Sequence, residues 1–378
     1  MFPVGASRKI VVVGSYADSL VNFRGPLLQA MVRAGHEVIA CAPDGSPELV
    51  AELKALGVEY CDIPLERTGL NPVRDLRFLL ALYRLFRRIK PEVVLGYTIK
   101  PVLYGSYAAR AAGVPCLYSL ITGLGYAFGA EAWRQRLLGS LVRQLYRHSL
   151  RFNRKVFFQN PDNLASFAAF GLLRNPQQAV LVNGSGVDVD AFVPAPLPER
   201  PAFLLIARLL GDKGIREYVA AARAVSSDYP EVKFRLAGWL DEKPGSIRQS
   251  ELDSWQEEGI IEYLGRLADV RPALRAASVY VLPSYAEGTP RTVLEALAMG
   301  RAVITTDAPG CRETVVHGEN GFLVPVKDVA ALAAAMRQFI QHPLLAGQMG
   351  VKGRAISEEK YAVDKVNRVM LEAMDLTA

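Results

Sequence analysis

Short, nearly continuous apolar runs alternate along the chain with longer segments whose apolar positions recur every three or four residues. In the first half the runs are KIVVVG at 9–14, EVIACA at 37–42, EVVLGY at 92–97, CLYSLI at 116–121 and KVFFQN at 155–160. A second series follows, with FLLIAR at 203–208, KFRLAG at 233–238, IIEYLG at 260–265, VYVLPS at 279–284 and AVITTD at 302–307. Runs of this kind suit strands covered on both faces, and their alternation with helical patterns predicts parallel sheets with crossover helices. Between the series, VPAPLPERP at 193–201 carries four prolines, which favour a stiff extended connector over helix or central strand. The prediction is an α/β protein of two doubly wound parallel-sheet domains, 1–195 and 196–354, followed by a helix-forming stretch at 355–378. A length of 378 residues agrees, since it exceeds what one hydrophobic core usually serves. Ligands of such folds bind outside the carboxyl ends of the strands, so two domains on a short connector predict a central cleft between those ends.

Composition adds little: 51% hydrophobic and 22% charged residues describe an ordinary globular chain. The N-terminal MFPVGASRKIVVVGSYADS lacks the long apolar region and cleavage site of a signal peptide, which predicts a cytoplasmic protein. Residues 111–130 are uncharged, yet five Gly and Pro residues interrupt them, so they read as a strand and a functional loop rather than a membrane span. Cys41, Cys61, Cys116 and Cys311 are far apart in sequence, without metal-ligand spacing, and read as reduced, mostly packed thiols.

Charge changes the picture once the chain is divided. Residues 1–199 carry a net +7 and residues 200–378 a net −1. A basic first half suits nucleic acid, an anionic membrane surface or a phosphorylated substrate. The segment 75–90, DLRFLLALYRLFRRIK, reads as an amphipathic helix whose Leu76, Leu79, Leu80, Tyr83 and Phe86 pack on a core behind a solvated arginine edge. With the basic run 133–155 it also suits peripheral attachment to anionic lipid or an acceptor bearing a lipid diphosphate. Nucleic acid is disfavoured, because no nucleic-acid motif accompanies these cations.

Candidate chemistry lies just after the strands. SYAEGTPRTVLEALAMG at 284–300 leaves a strand and enters a helix, with Thr289 predicted as N-cap and Pro290 at the first helical position. Glu287 then lies in the loop and Glu295 about five residues into the helix, roughly 7 to 8 Å along its axis. Carboxylates accept paired hydrogen bonds from sugar hydroxyls, and a helix start offers amides and a positive dipole end to a diphosphate. ARLLGDKGIREYV at 207–219 follows the first strand of the second domain, where Arg208 and Lys213 can flank a diphosphate. Asp188-Val189-Asp190 matches a metal-binding Asp-x-Asp only superficially and reads as a structural turn. In the first half Gly14-Ser15-Tyr16 follows a strand without the Gly-x-Gly-x-x-Gly fingerprint, which disfavours a nicotinamide enzyme.

Glu287, seven intervening residues and Glu295, followed by Ala-Leu-Ala-Met-Gly, resemble the signature of glycosyltransferase family 4. GYTIKP, ITGLGYAF, FFQNPDN, NGSGVDVDAF, GDKG and TTDAPGCRETV extend the resemblance over nearly the whole chain. They point to a bacterial subgroup of undecaprenyl-diphosphate-linked-sugar N-acetylgalactosaminyltransferases and capsule or O-antigen enzymes. The resemblance implies a GT-B fold, a retaining mechanism, a UDP-sugar donor, a lipid-diphosphate-linked sugar acceptor and a place on the inner face of the cytoplasmic membrane. It makes Glu287, Arg208 and Lys213 catalytic, and it gives Glu295, Arg291, Thr292, Gly288, Thr289 and Gly14 to the donor. Asn22, Arg24, Tyr97, Thr98, Lys100, Thr122 and Gly123 fall on the acceptor side. No cofactor or metal is expected, since the cations can neutralise a departing diphosphate. By the same resemblance 355–378 crosses back to the first domain. Two departures stand out: Pro290 replaces a frequent Gly, leaving the amides of Arg291 and Thr292 to serve, and no histidine stands at Thr122 or Gly123, so no side-chain base is evident. The competing readings are a UDP-sugar 2-epimerase of the same fold and a non-catalytic nucleotide-sugar-binding protein.

Overall fold

Two all-parallel sheets account for the apolar runs. The computed structural model describes residues 6–66, 69, 71–123, 133–241 and 245–377. It divides into one unit of Met1–Ser185 with Lys365–Ala378 and a second of Gly186–Asp364.

The first unit holds β1 (Lys9–Val13), β2 (Glu37–Ala42), β3 (Val58–Asp62), β4 (Val93–Tyr97), β5 (Cys116–Ile121), β6 (Lys155–Phe158) and β7 (Ala179–Leu181). Their order is β3-β2-β1-β4-β5-β6-β7, so strand order reverses between β1 and β4. On one face Leu20, Leu28, Met31 and Leu53 pack with Met370, Leu371, Met374 and Leu376 from the C-terminal segment. Two polar contacts hold that segment: Tyr118 donates to the Met374 carbonyl at 3.1 Å, and His36 Nε2 lies 3.0 Å from the Leu376 carbonyl.

On the other face the helix Pro72–Ile89 begins at Asn71, whose side chain accepts from the amides of Val73 and Arg74. It buries Phe78, Leu82, Leu85 and Phe86. Leu76 and Leu80, expected in the core, are exposed at 54% and 42%, with Val73 at 61%. The residue spacing explains the difference: 78, 82, 85 and 86 form the inward stripe, and 73, 76 and 80 fall on the opposite one.

The second unit holds β8 (Ala202–Ile206), β9 (Lys233–Ala237), β10 (Glu262–Tyr263), β11 (Val279–Leu282), β12 (Ala302–Thr306) and β13 (Gly321–Val324), in the order β10-β9-β8-β11-β12-β13. Phe203 and Phe234 stack across β8 and β9 with ring centroids 5.3 Å apart. The division between units falls at Ser185, ahead of the proline-rich connector. Val187 packs with Leu294, Ala298 and Tyr361, Arg354 Nη1 donates to the Val189 and Phe192 carbonyls, and buried Arg301 donates to the Ala195 carbonyl at 2.7 Å. The connector is thereby bound along the second unit. The chain returns to the first unit at Lys365, within the helix Val363–Ala373. At the Asp-x-Asp segment, Asp188 Oδ1 accepts the amides of Asp190 and Ala191, which makes a turn.

Candidate active site

In the second unit, loops leaving three neighbouring strands interlock. After β8 the chain turns through Gly211–Lys213 to Gly214, whose φ of +70° and contact with the Pro283 carbonyl leave no room for a Cβ. The Asp212 carbonyl accepts from the Tyr285 amide at 2.9 Å and from Ser284 Oγ at 3.2 Å, which ties this turn to the exit of β11. Lys213 Nζ consequently reaches Glu287 Oε1 at 2.6 Å, with both side chains largely buried. From the loop after β12, the Pro309 carbonyl accepts the Glu287 amide at 2.8 Å, and Gly310 lies against the Glu287 and Gly288 carbonyls.

Gly288 and Thr289 lead from Glu287 to the helix Arg291–Ala298. Its N-cap is Pro290, one residue later than expected: Pro290 keeps an extended ψ of 110°, and its carbonyl accepts from Val293 and Leu294. A residue preceding proline is itself driven toward extended backbone, which moves the start past Thr289. The amides of Arg291 and Thr292 thus belong to the first turn, which has no intrahelical acceptors for them. Glu295 is buried and pairs with Arg291 at 2.7 Å. Burial pushes its carboxyl upward, Arg291 opposes the shift, and Asp269 adds to it. Below the helix start, the Tyr280 hydroxyl lies 2.6 Å from Thr292 Oγ1 and 2.9 Å from the Ile206 carbonyl.

Lys213, Glu287 and the first turn of this helix are thus gathered at the strand ends. Arg208, read with Lys213, is directed instead to Asp241, with Nη1 3.3 Å from Oδ2. Sequence reasoning assigned no role to Asp241, Tyr280 or Gly310. Gly310 lies within TTDAPGCRETV, where a glycine after a strand is the available signal; Asp241 and Tyr280 carry none.

In the first unit, Gly14 closes β1 against Tyr97, whose hydroxyl occupies the space a Cβ would take. Tyr97 is buried, its hydroxyl 2.7 Å from Ser19 Oγ, with the buried Arg24 guanidinium 5.2 Å from its ring centroid. Arg24 Nη1 also donates to Ser185 Oγ at 3.3 Å, while Asn22 is exposed. Thr98 adopts φ +68°, costly for a β-branched residue, and donates to Ser15 Oγ at 2.9 Å. Lys100 turns inward to Asp75 at 2.7 Å, and Tyr104 donates to the other Asp75 oxygen at 3.0 Å. Thr122 and Gly123 follow β5, and the rest of ITGLGYAF lies outside the described residues.

A lysine, a carboxylate and a helix start converge at the strand ends of the second unit. Residues 25–184 match the glycosyl transferase 4-like domain and residues 200–342 the glycosyl transferases group 1 domain; the chain belongs to the glycosyltransferases. Among curated relatives, it is 27% identical over 329 residues to the N,N'-diacetylbacillosaminyl-diphospho-undecaprenol alpha-1,3-N-acetylgalactosaminyltransferase of Campylobacter jejuni, covering 83% of this chain and 85% of that one. It is 24% identical to the UDP-Gal:alpha-D-GlcNAc-diphosphoundecaprenol alpha-1,3-galactosyltransferase of Escherichia coli, covering 82% and 84%. Among solved structures, sucrose-phosphate synthase from Thermosynechococcus elongatus superposes with a TM-score of 0.80 at 19% identity, covering 97% and 98%. HepE of Anabaena in complex with UDP does so at 0.77 and 17%, covering 96% and 98%. The fold is GT-B.

Proposed function

We propose that this glycosyltransferase moves a hexose or N-acetylhexosamine from a UDP-sugar to an undecaprenyl-diphosphate-linked sugar, with retention at the anomeric carbon, in surface-polysaccharide or glycan assembly. The observation that carries the reading is the Lys213–Glu287 contact beside the first turn of the helix Arg291–Ala298. There a lysine and first-turn amides can face a diphosphate while a carboxylate faces sugar hydroxyls. The activities of the Campylobacter and Escherichia relatives support the lipid-linked acceptor. In this reading the bond from the anomeric carbon to the diphosphate oxygen breaks as the acceptor oxygen adds on the same face. The departing diphosphate takes the acceptor proton. Lys213 supplies charge to the leaving group without a metal ion, so a chelator leaves turnover unchanged.

The acceptor is a lipid, so the enzyme works at the inner face of the cytoplasmic membrane. No helix among the described residues is long and apolar enough to cross it. The helix Pro72–Ile89 supplies a surface for peripheral attachment: exposed Val73, Leu76 and Leu80 lie among exposed Arg77, Arg84 and Arg87. Apolar residues ringed by cations suit an anionic bilayer.

The test is UDP release from a panel of UDP-hexoses and UDP-N-acetylhexosamines, with and without membrane extract containing diphosphoundecaprenyl-linked sugars, followed by mass analysis of the lipid. The expected result is acceptor-dependent release and a lipid heavier by one sugar. Acceptor-free conversion of one UDP-sugar with no change in the lipid would transfer the protein to the epimerases.

A further inference from the structure

Cys41 and Cys61 are direct neighbours in the sheet of the first unit. In the parallel pairing of β2 with β3, Cys41 stands opposite Cys61. Facing residues of adjacent strands project from the same side, and both cysteines join the cluster that contains Leu82, Leu85 and Phe86. Neighbouring strands lie roughly 4.8 Å apart. That is within the Cα separation a disulfide spans, roughly 4.4 to 6.8 Å. The Cys61 thiol donates to the Asp62 carbonyl at 3.7 Å.

Their environments differ in a chemically useful way. Cys41 is fully buried, whereas Cys61 is half-buried on β3, at the edge of the sheet. The neighbouring Cys41 thiol brings the Cys61 thiol down to about 7; burial opposes it, Arg88 assists it, and Glu59 and Asp62 counter it. The same pairing raises Cys41 well above the ordinary thiol range, and burial adds to the rise. One sulfur is therefore accessible and nucleophilic, and the other is held as a thiol beside it. This is the division of labour between an attacking and a resolving cysteine.

We propose that Cys41 and Cys61 form a peroxide-reactive dithiol, in which Cys61 is oxidised first and Cys41 closes an internal disulfide. In the first step the Cys61 thiolate attacks one peroxide oxygen, the O–O bond breaks, and hydroxide leaves, giving the sulfenic acid. In the second, Cys41 sulfur attacks Cys61 sulfur, the S–O bond breaks, and the Cys41 proton leaves with the hydroxyl as water. Two thiols lose two electrons to one hydrogen peroxide, and a dithiol reductant reverses the change. The position also bears on the ligand-side turn, because the Cys41 carbonyl accepts the Gly14 amide at 2.8 Å.

The test uses the full chain, hydrogen peroxide as probe, alkylation with iodoacetamide and peptide mapping. The expected product is a Cys41–Cys61 linkage that a dithiol reductant removes, with Cys116 and Cys311 still alkylated once the chain is unfolded. Cys61→Ser should abolish the linkage and slow peroxide consumption on the order of tenfold. Cys41→Ser should leave Cys61 trapped as a dimedone adduct and slow its alkylation; Cys41→Ala, a better fit to an apolar site, should do the same. Peroxide consumed with no Cys41–Cys61 linkage, or Cys61 alkylated equally fast in wild type and both Cys41 variants, overturns the proposal.

Discussion

Gly310 and Glu287 meet backbone to backbone: at φ +81°, Gly310 lies so near the Glu287 carbonyl that a Cβ would overlap it. Gly310→Ala is therefore strained twice, by conformation and by contact. The expected cost is about 1–3 kcal/mol of stability. Transfer should fall further than this cost explains, because the loop that presents Glu287 must shift. Thermal unfolding beside UDP release at a temperature where the variant is folded separates the two effects.

Lys213→Ala should lower kcat on the order of 100-fold, the scale of losing one preorganised charge contact to the transition state. Glu287→Gln should lose transfer with a modest effect on UDP binding. Steady-state kinetics and UDP calorimetry check both, and unchanged turnover in Lys213→Ala removes that residue from the active site.

Glu295 predicts a pH dependence. Its carboxyl is raised in the folded protein, chiefly by burial, so the folded state holds this proton to higher pH than the unfolded chain does. The stability tied to it is complete below the unfolded carboxylate range and is lost as pH rises through the folded value. Glu295→Gln should therefore be more stable than wild type at neutral pH, with the difference shrinking as pH falls toward about 4. The same variant should weaken UDP binding. Melting temperatures across that range and UDP calorimetry provide the checks.

Lys100 and Asp75 form a buried pair with Tyr104 on the second carboxylate oxygen. Removing one partner leaves a buried charge, so Lys100→Met should cost about 3–5 kcal/mol. Asp75→Asn combined with Lys100→Met should recover much of it. If acceptor KM recovers along with stability, Lys100 positions the fold; if KM stays raised in the stable double variant, Lys100 meets the acceptor itself.

The exposed face of the helix Pro72–Ile89 predicts lipid binding. Arg77→Glu with Arg84→Glu should reduce sedimentation with phosphatidylglycerol vesicles, at about 1 kcal/mol for each cation lost. Leu76→Ser with Leu80→Ser should reduce it at high salt as well. Equal binding by wild type and both double variants assigns attachment elsewhere.

The buried strands were legible because a strand covered on both faces is written as an unbroken apolar run, as in Val11, Val12 and Val13. The missed strands follow other rules. β3 reads VEYCD, is buried only at Val58 and lies at a sheet edge, and β7 and β13 are short edge strands, where apolar continuity is not required. At the site, Glu287, Lys213 and the helix start were legible as strand-end chemistry. The partnership of Lys213 with Glu287 was not, since it depends on β8 and β11 being neighbours across 74 residues of chain. Arg208 shows the same limit from the other side: its neighbour is set by Asp241, which no local pattern singles out.

Met370, Leu371, Met374 and Leu376 complete one face of the first sheet although they are encoded after the whole of the second unit. During N-to-C synthesis the 186–364 unit emerges entire, while the earlier unit still waits for these four side chains. A ribosome that stalls before Lys365 would expose that apolar face and give chaperones a binding surface. Nascent chains released at this point should therefore be cleaved by protease in the first unit and spared in the second.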